Sequence, residues 1–312
     1  MTSRQLRVSA IRDLPGRVRT VTLEPLDGKA LPSFAPGSNI GLQWSDKLIN
    51  SYSLVGDHSS PASYQISVLA QPEGSGGSLW VHNLQLGEVV TSTGVRSAFA
   101  PVAIAKHHVL VAAGIGVTPV LSHARWHARW GHSFDVYYVH RPGQGAHLDE
   151  LQELCGDRLH TYASRTEFWA EFPQVLATQP FGTHIYTCGP LAMIDSVAQA
   201  AAEASWPEGR VHSEAFSSAA LDAGKPFTAI FARSGRTVTV PSGASMLEAA
   251  EEIGIKAPYL CRQGLCGECR VSVIAGRVDH RDLVMGAAEK EDGNSMMVCV
   301  SRAADDLLEV DL

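Results

Sequence analysis

Four cysteines near the carboxyl end limit what this chain can fold into more than any other feature. Three follow a C-x4-C-x2-C spacing and a fourth follows after a gap of 29 residues; the four positions are Cys261, Cys266, Cys269 and Cys299. This is the plant-type spacing for a 2Fe–2S cluster, in which four thiolates hold two irons. Gly264 and Gly267 lie between the ligands, where the loop needs positive φ angles and backbone amides close to sulfur.

A zinc site and a disulfide pair are the alternatives for these cysteines. Zinc sites usually take cysteines as two C-x2-C-like units, whereas this chain has one such pair, one four-residue step and a distant single cysteine. We therefore predict a 2Fe–2S cluster. The two cysteines outside the set, Cys155 and Cys188, suit a reducing compartment.

The composition describes an ordinary globular protein with room for two or three domains. The chain has 312 residues, of which 45% are hydrophobic and 18% charged. A net charge of −7 argues against nucleic acid as a partner. No apolar run is long enough to cross a membrane and the first residues lack the apolar run of a signal peptide. We expect a cytoplasmic protein without a membrane partner.

Residues 1–103 are predicted to form an antiparallel β-barrel, because short segments such as 6–11, 18–23 and 64–69 alternate apolar and polar residues. Two motifs inside this region suit flavin binding. Tyr52-Ser53 offers an aromatic face and a hydroxyl on one strand, and Gly76-Gly77-Ser78 precedes a predicted helix whose amides suit a phosphate. Each motif alone is weak, since most such segments are an ordinary strand and an ordinary turn.

Residues 104–224 change to strands that alternate with helices, the pattern of an open parallel α/β sheet. The apolar strand at 107–113 runs into the turn Gly114-Ile115-Gly116, and the strand at 183–188 runs into Gly189-Pro190. Ligands bind at the carboxyl ends of such strands, so we predict a dinucleotide site there. Cys188 would face this crevice, with a buried packing residue as the alternative.

Residues 225–312 follow a small, polar linker at 217–225 and are predicted to form a β-grasp (α+β) ferredoxin domain. A hairpin, a helix at 245–253, the cluster loop and a strand at 270–274 give a mixed sheet with one crossing helix. This region holds 10 basic and 13 acidic residues. The acidic balance predicts docking on a basic surface of a partner.

Taken together, the three regions resemble the phthalate dioxygenase reductase family, the single-chain reductases of Rieske-type oxygenases. Besides the four cysteines, the resemblance is carried by Tyr52-Ser53, Gly76-Gly77-Ser78, Gly114-Ile115-Gly116-Val117-Thr118-Pro119, Cys188-Gly189-Pro190 and His212-Ser213-Glu214-Ala215-Phe216. It implies a multidomain chain in which an antiparallel β-barrel binds FMN. It also implies that the parallel-sheet α/β domain binds NADH and that the β-grasp domain carries the cluster.

The resemblance also implies a role for individual residues. Tyr52 and Ser53 would contact the isoalloxazine, with the Ser53 hydroxyl near its N5 atom. Phe216 would lie over the flavin where the nicotinamide approaches, with an ordinary packing residue as the alternative. The flavin phosphate would be held by Gly76, Gly77 and Ser78. The nicotinamide crevice would be lined by Gly114, Gly116, Thr118 and Cys188.

Two arginines of the family pattern are missing. The family motif is usually Arg-x-Tyr-Ser, but Asn50 takes the first position, and Ser75 stands before the Gly-Gly-Ser turn where the family often has arginine. Both would normally neutralise phosphate. We favour FMN, with Asn50 among the binding residues, and keep FAD as the alternative. We favour NADH, although Arg141 lies where the 2′-phosphate of NADPH is recognised.

The predicted activity is transfer of electrons from NADH through flavin and a 2Fe–2S cluster, one at a time, to a Rieske-type oxygenase component. One alternative is a reductase that serves a cytochrome or a di-iron oxygenase. The other is a redox sensor that uses the cluster as a signal.

Overall fold

The computed structural model describes residues 3–45, 48–74, 76–97, 99–216 and 221–312. The chain divides into two compact units, Met1–Phe216 and Ser217–Leu312. Residues 217–220 of the predicted linker and Ser75 of the predicted phosphate turn lie outside the described residues. The division into three domains at residues 103 and 224 stays a prediction.

The first unit begins with a six-stranded antiparallel sheet of order β4-β3-β6-β1-β2-β5. Its strands are β1 (Arg4–Leu14), β2 (Val18–Pro25), β3 (Ser38–Gln43), β4 (Ile49–Ser53), β5 (Tyr64–Leu69) and β6 (Val89–Ser97). Apolar side chains of these strands, among them Leu6, Val21 and Ile66, are buried in one core cluster. A bridge between Leu54 and Ile66 brings the two edges of the sheet together. Helix α1 (Gly77–Asn83) packs on β5 and β2.

The same unit continues with a five-stranded parallel sheet of order β11-β10-β7-β8-β9. Its strands are β7 (His107–Ala113), β8 (Phe134–Val139), β9 (Leu159–Tyr162), β10 (Thr183–Cys188) and β11 (Val211–Glu214). The helices are α2 (Val117–Trp130), α3 (Leu148–Cys155), α4 (Arg165–Thr178) and α5 (Leu191–Glu203). All seven residues of β7 are buried, as expected for a central parallel strand covered on both faces.

Helix α4 was not predicted from the sequence, because Pro173 inside it normally breaks a helix. The amino-terminal end of the helix is nevertheless capped. The Ser164 hydroxyl accepts a hydrogen bond from the Glu167 amide at 3.2 Å, and Glu167 in turn accepts from the Ala163 amide at 2.9 Å. Phe168 is fully buried in the core beneath it, so packing outweighs the proline.

Polar contacts join the two sheets of the first unit. The Arg125 guanidinium on α2 donates to the carbonyl of Val55, two residues after β4, and pairs with Glu150. The His147 Nε2 atom lies 2.8 Å from the Ser67 hydroxyl on β5. These contacts fix the end of β4 relative to the parallel sheet.

The second unit has a mixed five-stranded sheet of order β13-β12-β18-β14-β16, in which β12 and β18 are parallel. Its elements are β12 (Phe227–Phe231), β13 (Arg236–Val240), α6 (Met246–Glu252), β14 (Arg270–Ala275), β15 (Val278–Asp279), α7 (Ala287–Asp292), β16 (Ser295–Met297), β17 (Arg302–Ala303) and β18 (Leu307–Val310). A capping box between Ser245 and Glu248 begins α6, whose Leu247 is buried against the sheet. Within the described residues, no helix combines the length and apolar character needed to cross a membrane.

Candidate functional site

The four cysteines of the second unit come together as two pairs of thiols. The Sγ atoms of Cys269 and Cys299 are 3.0 Å apart, and the thiols of Cys261 and Cys266 are hydrogen-bonded to each other. Within the described part of the chain, no three His, Cys, Asp or Glu side chains are placed to hold a single metal ion. Two pairs of thiolates are what a 2Fe–2S cluster takes, two for each iron, so the donor set fits this cofactor.

The loop around the cysteines favours the thiolate form of Cys261. The Cys266 thiol and then the backbone amides of Gln263, Leu265 and Cys266 itself lower the pKa of Cys261 to about 6. The Gln263 amide lies 3.4 Å from the Cys261 sulfur. Amides that point at sulfur stabilise negative charge there and tune the potential of a bound cluster.

Gly264 has a φ angle of 70°, and a Cβ atom there would lie only 2.6 Å from the Val300 side chain. The position therefore requires glycine both for its backbone conformation and for the close approach of the loop to Val300. This confirms the local geometry that the C-x4-C spacing predicts.

The predicted flavin motifs meet at the start of α1. Gly76 has a φ angle of 104°, and a Cβ atom on Gly77 would overlap the Asn50 amide group and lie 3.1 Å from the Tyr52 hydroxyl oxygen. The Trp44 Nε1 group donates to the Asn50 side-chain oxygen at 3.1 Å. Asn50, which replaces an arginine of the family pattern, thus lies against the glycine turn.

The polar atoms of β4 fit a flavin. The Ser53 hydroxyl is buried and has no hydrogen-bond partner among the described residues, and the buried Tyr52 hydroxyl interacts only with the side chain of Asn50 there. Burial also raises the pKa of Tyr52, so its hydroxyl stays protonated. Buried polar groups without partners are costly, and the hydrogen-bonding edge of a flavin would satisfy them. The Ser78 hydroxyl is different, because it already bonds the Gln71 backbone.

The predicted nicotinamide residues lie at the carboxyl ends of β7 and β10. A Cβ atom on Gly116 would overlap the Cys188 carbonyl and lie 2.7 Å from the Gly189 nitrogen, so glycine lets the two strand ends approach. Gly114, with a φ angle of 56°, turns the chain into α2. The Thr118 hydroxyl donates to the Ile115 carbonyl at 3.1 Å and is buried. Its role in the structure is therefore to hold the turn.

One residue of this edge was missed by sequence reasoning. Glu214, at the end of β11, pairs in register with Cys188 on β10, and its carboxyl bonds the side chain of Asn39 on β3. Asn39 is itself paired in register with Ser53. Glu214 therefore connects the carboxyl end of β10 to β3, next to Ser53 on β4. A carboxylate at a strand end, inside a motif already noted for Phe216, was the available signal.

Burial keeps the Glu214 carboxyl neutral. Burial raises its pKa to about 8, against the smaller opposite effect of the Asn39 hydrogen bond. Burial, and then the Glu214 carboxyl, also raise the pKa of the Cys188 thiol. Phe216 follows two residues after β11, and 37% of its surface is exposed.

Comparison with known proteins gives one family match within each of the two compact units. Residues 88–211 match the family of dimethylamine monooxygenase subunit DmmA-like N-terminal domains, and residues 230–304 match the 2Fe-2S iron-sulfur cluster binding domain. A solved phthalate dioxygenase reductase, described as a modular structure for electron transfer from pyridine nucleotides to [2Fe-2S], is 32% identical with a TM-score of 0.78. The match covers 99% of this chain and 98% of that chain.

The chain belongs to the phthalate dioxygenase reductase family. The fold class predicted from the sequence is confirmed, as is an oxidoreductase with flavin and nicotinamide domains and a 2Fe–2S domain. The 2Fe–2S family match also decides against the zinc and disulfide alternatives. The roles of individual flavin and nicotinamide residues in this phthalate dioxygenase reductase homologue stay predictions.

Two further similar proteins are described as a subunit of a heme-dependent enzyme and as a cytochrome P450. The beta subunit of a heme-dependent oxidative N-demethylase from Ectopseudomonas mendocina is 37% identical over 309 residues, which cover 98% of each chain. An intact type IV self-sufficient cytochrome P450 monooxygenase is 32% identical with a TM-score of 0.85. The match covers 99% of this chain but only 41% of that chain. Within the phthalate dioxygenase reductase family, the same reductase architecture therefore occurs with different oxygenases.

Proposed function

We propose that this chain is the NADH-dependent reductase of a Rieske-type oxygenase system in the cytoplasm. The observation that carries the proposal is that one chain combines two pairs of thiols with a glycine turn beside β4 and a parallel sheet that has glycine turns at the ends of β7 and β10. When bound, the flavin accepts a hydride and the 2Fe–2S cluster carries single electrons. The oxygenase is the partner that the family resemblance implies.

FMN is the flavin that we propose for β4 and α1. The isoalloxazine would be bound by Tyr52 and Ser53, and the Ser53 hydroxyl has no other partner among the described residues. The phosphate would lie at the start of α1, whose first turn carries no acidic side chain. The Asn50 amide group lies against Gly77 and would donate to the phosphate there in place of the missing arginine.

NADH would bind at the carboxyl ends of β7 and β10, where Gly116 lets the two strand ends approach and a Cβ atom on Gly114 would meet nothing within 4 Å. The neutral Glu214 carboxyl adds no negative charge to this crevice, which suits an anionic dinucleotide. Phe216 would cover the flavin until the nicotinamide displaces it, so that the ring has one protected face.

The identity of the cofactors has a direct test. Protein denatured by heat should release FMN rather than FAD, as identified by mass spectrometry of the supernatant. The ratio of kcat/KM for NADH to that for NADPH should exceed one in reduction of ferricyanide. Release of FAD would contradict an FMN phosphate site at the start of α1. A preference for NADPH would favour Arg141 as the contact of its 2′-phosphate.

A haem oxygenase is the second candidate for the acceptor. It is favoured by the likeness to the heme-dependent N-demethylase subunit and to the self-sufficient P450. The two candidates can be separated by stopped-flow mixing of the NADH-reduced chain with an isolated Rieske oxygenase component and, in parallel, with an isolated P450 haem domain. Faster reduction of the Rieske centre is expected, and faster reduction of the haem would favour the second candidate.

A further inference from the structure

Two aliphatic side chains are exposed directly beside the cluster loop. Leu283 has 51% and Val284 41% of its surface exposed. The Leu283 amide donates to the Gly264 carbonyl at 3.0 Å, and a Cβ atom on Gly267 would lie 3.3 Å from a methyl group of Val284. Gly264 and Gly267 lie between the cysteines that would hold the cluster, so this apolar pair covers the loop on its outer side.

The segment that carries this pair is held in place from below. The Asp282 carboxylate is buried and its Oδ1 atom accepts hydrogen bonds from the amides of Val284 at 3.0 Å and Met285 at 2.8 Å. The Lys290 Nζ group donates to the Asp282 carbonyl at 2.6 Å. The exposure of Leu283 and Val284 is therefore a feature of a fixed loop, and such preorganised surfaces lose little entropy when a partner binds.

The surface beside this pair is acidic. Helix α7 follows directly and carries Glu289, Glu291 and Asp292, all exposed. Its one basic residue, Lys290, is turned inward to the Asp282 carbonyl. Arg270 pairs with Glu289 at 2.9 Å, and no ion pair is formed by Glu291 or Asp292 among the residues that the structure describes. An apolar centre with an acidic edge is the result.

We propose that Leu283 and Val284, together with the acidic edge of α7, form the docking surface for the protein that takes electrons from the cluster. We call this surface the α7 patch. This proposal rests on the proposed function and adds the chemistry of the partner. The partner is a protein with a redox centre beneath a face that has an apolar centre and a basic rim. Apolar side chains at the centre and charges at the rim are the usual anatomy of such an interface.

The charge of the α7 patch selects among possible occupants. A second copy of this chain would bring the same acidic edge against itself, which like charges disfavour. An anionic lipid surface is disfavoured for the same reason. A basic protein face is the complementary partner, and long-range attraction would also speed its encounter.

Ferric cytochrome c is a suitable probe, because it is a small basic protein with an exposed haem edge. Its binding to the oxidised full-length protein is measured first by calorimetry at low ionic strength, without NADH and therefore without turnover. Reduction is measured second. Each NADH gives two electrons and releases one proton as it becomes NAD+, so two ferric haems are reduced to ferrous haems.

The variants compare the α7 patch with matched positions elsewhere on the same unit. Leu283→Ser combined with Val284→Ser removes the apolar centre, and Ile274→Ser, at a side chain that is 53% exposed, is its control. Glu291→Lys reverses one charge of the edge. Asp306→Lys makes the same charge change at an exposed position outside the α7 patch.

The double serine variant should bind cytochrome c about tenfold more weakly, as expected for loss of a small interface centre. Glu291→Lys should weaken binding at low ionic strength and lose this effect in high salt. Reduction of cytochrome c should slow in parallel, whereas NADH-driven reduction of the cluster and of ferricyanide should not change. Both controls should bind as the unmodified protein does.

Equal effects of the patch variants and their controls would overturn the α7 patch, since cytochrome c would then be bound by overall charge. Unchanged binding in the double serine variant would overturn it as well. Failure of the proposed function would look different, because NADH would then leave the cluster oxidised in the unmodified protein. Thermal unfolding of the double variant at the unmodified temperature verifies that its loop is intact.

Discussion

Glu214→Gln should change how the stability of the first unit depends on pH. The Glu214 carboxyl is buried beside Cys188 and Asn39, and burial raises its pKa to about 8 from an ordinary value near 4.5. The folded protein therefore keeps a proton on this carboxyl up to about pH 8, whereas the unfolded chain has lost it by about pH 6. Glutamine has nearly the same shape and cannot ionise, so it removes this difference.

The sign and size of the effect follow from proton linkage. Between the two pKa values the folded state binds more protons than the unfolded state, so the free energy of unfolding falls as pH rises. With a raised pKa of about 8, each pH unit inside this window costs about 1.4 kcal/mol, and the change from pH 6 to pH 8 is about 2 kcal/mol. Above pH 8 the contribution no longer changes.

Tryptophan fluorescence isolates the unit that contains Glu214. All six tryptophans precede residue 217, so urea unfolding followed by fluorescence reports on the first unit alone. The unmodified protein and the Glu214→Gln variant are compared at pH 6 and pH 8. Glu153→Gln, an exposed glutamate on α3, is the matched control. The free energy of unfolding should decrease by about 2 kcal/mol less between pH 6 and pH 8 in Glu214→Gln than in the unmodified protein, and Glu153→Gln should behave as the unmodified protein does.

An equal pH-dependence of unfolding in the unmodified protein and in Glu214→Gln would refute this reasoning. Glu214 would then be ionised in the folded state, and the nucleotide crevice would carry a negative charge at neutral pH. A loss of the pH-dependence in Glu153→Gln as well would assign the effect to surface charge.

Three other changes test neighbouring parts of the site. Ser53→Ala should leave stability nearly unchanged, because the hydroxyl has no partner among the described residues, and should slow NADH-driven flavin reduction about tenfold in stopped-flow absorbance. Gly116→Ala should destabilise the first unit by about 3 kcal/mol through overlap with Cys188, and dithionite should still reduce the cluster while NADH does not. His127→Leu should protect against acid, because burial lowers the pKa of His127, whose ring nitrogens lack partners in the described chain. Between pH 7 and pH 5 the unfolding free energy should fall by about 2 kcal/mol less in the variant than in the unmodified protein, as measured by urea unfolding.

Elements with a clear hydrophobic period were predicted closely. The strands β5, β7 and β10 begin and end where the sequence predicts, because each is a short apolar or alternating run between turn residues. Short elements that depend on tertiary pairing were missed. β11 has only four residues, and it forms because β10 offers a free edge for parallel pairing.

Some features of the candidate site were likewise predictable from the sequence, and others were not. Cysteine spacing predicts the cluster loop, since the chemistry needs all four thiolates at fixed positions. The environment of Glu214 was not predictable, because it depends on Asn39, which is 175 positions away in the sequence and reaches it only through folding. The hydroxyl of Ser78 bonds the backbone of Gln71, a contact that its place in the Gly-Gly-Ser turn does not predict, and its role at the phosphate stays a prediction.

The most direct test of the electron path is an EPR spectrum of the purified protein, frozen after anaerobic mixing with NADH. The account predicts a 2Fe–2S signal within the mixing time, because nicotinamide, flavin and cluster sites all lie in this one chain. A signal that appears with dithionite but not with NADH would contradict it, and would place the break at the flavin strand or at the nucleotide edge.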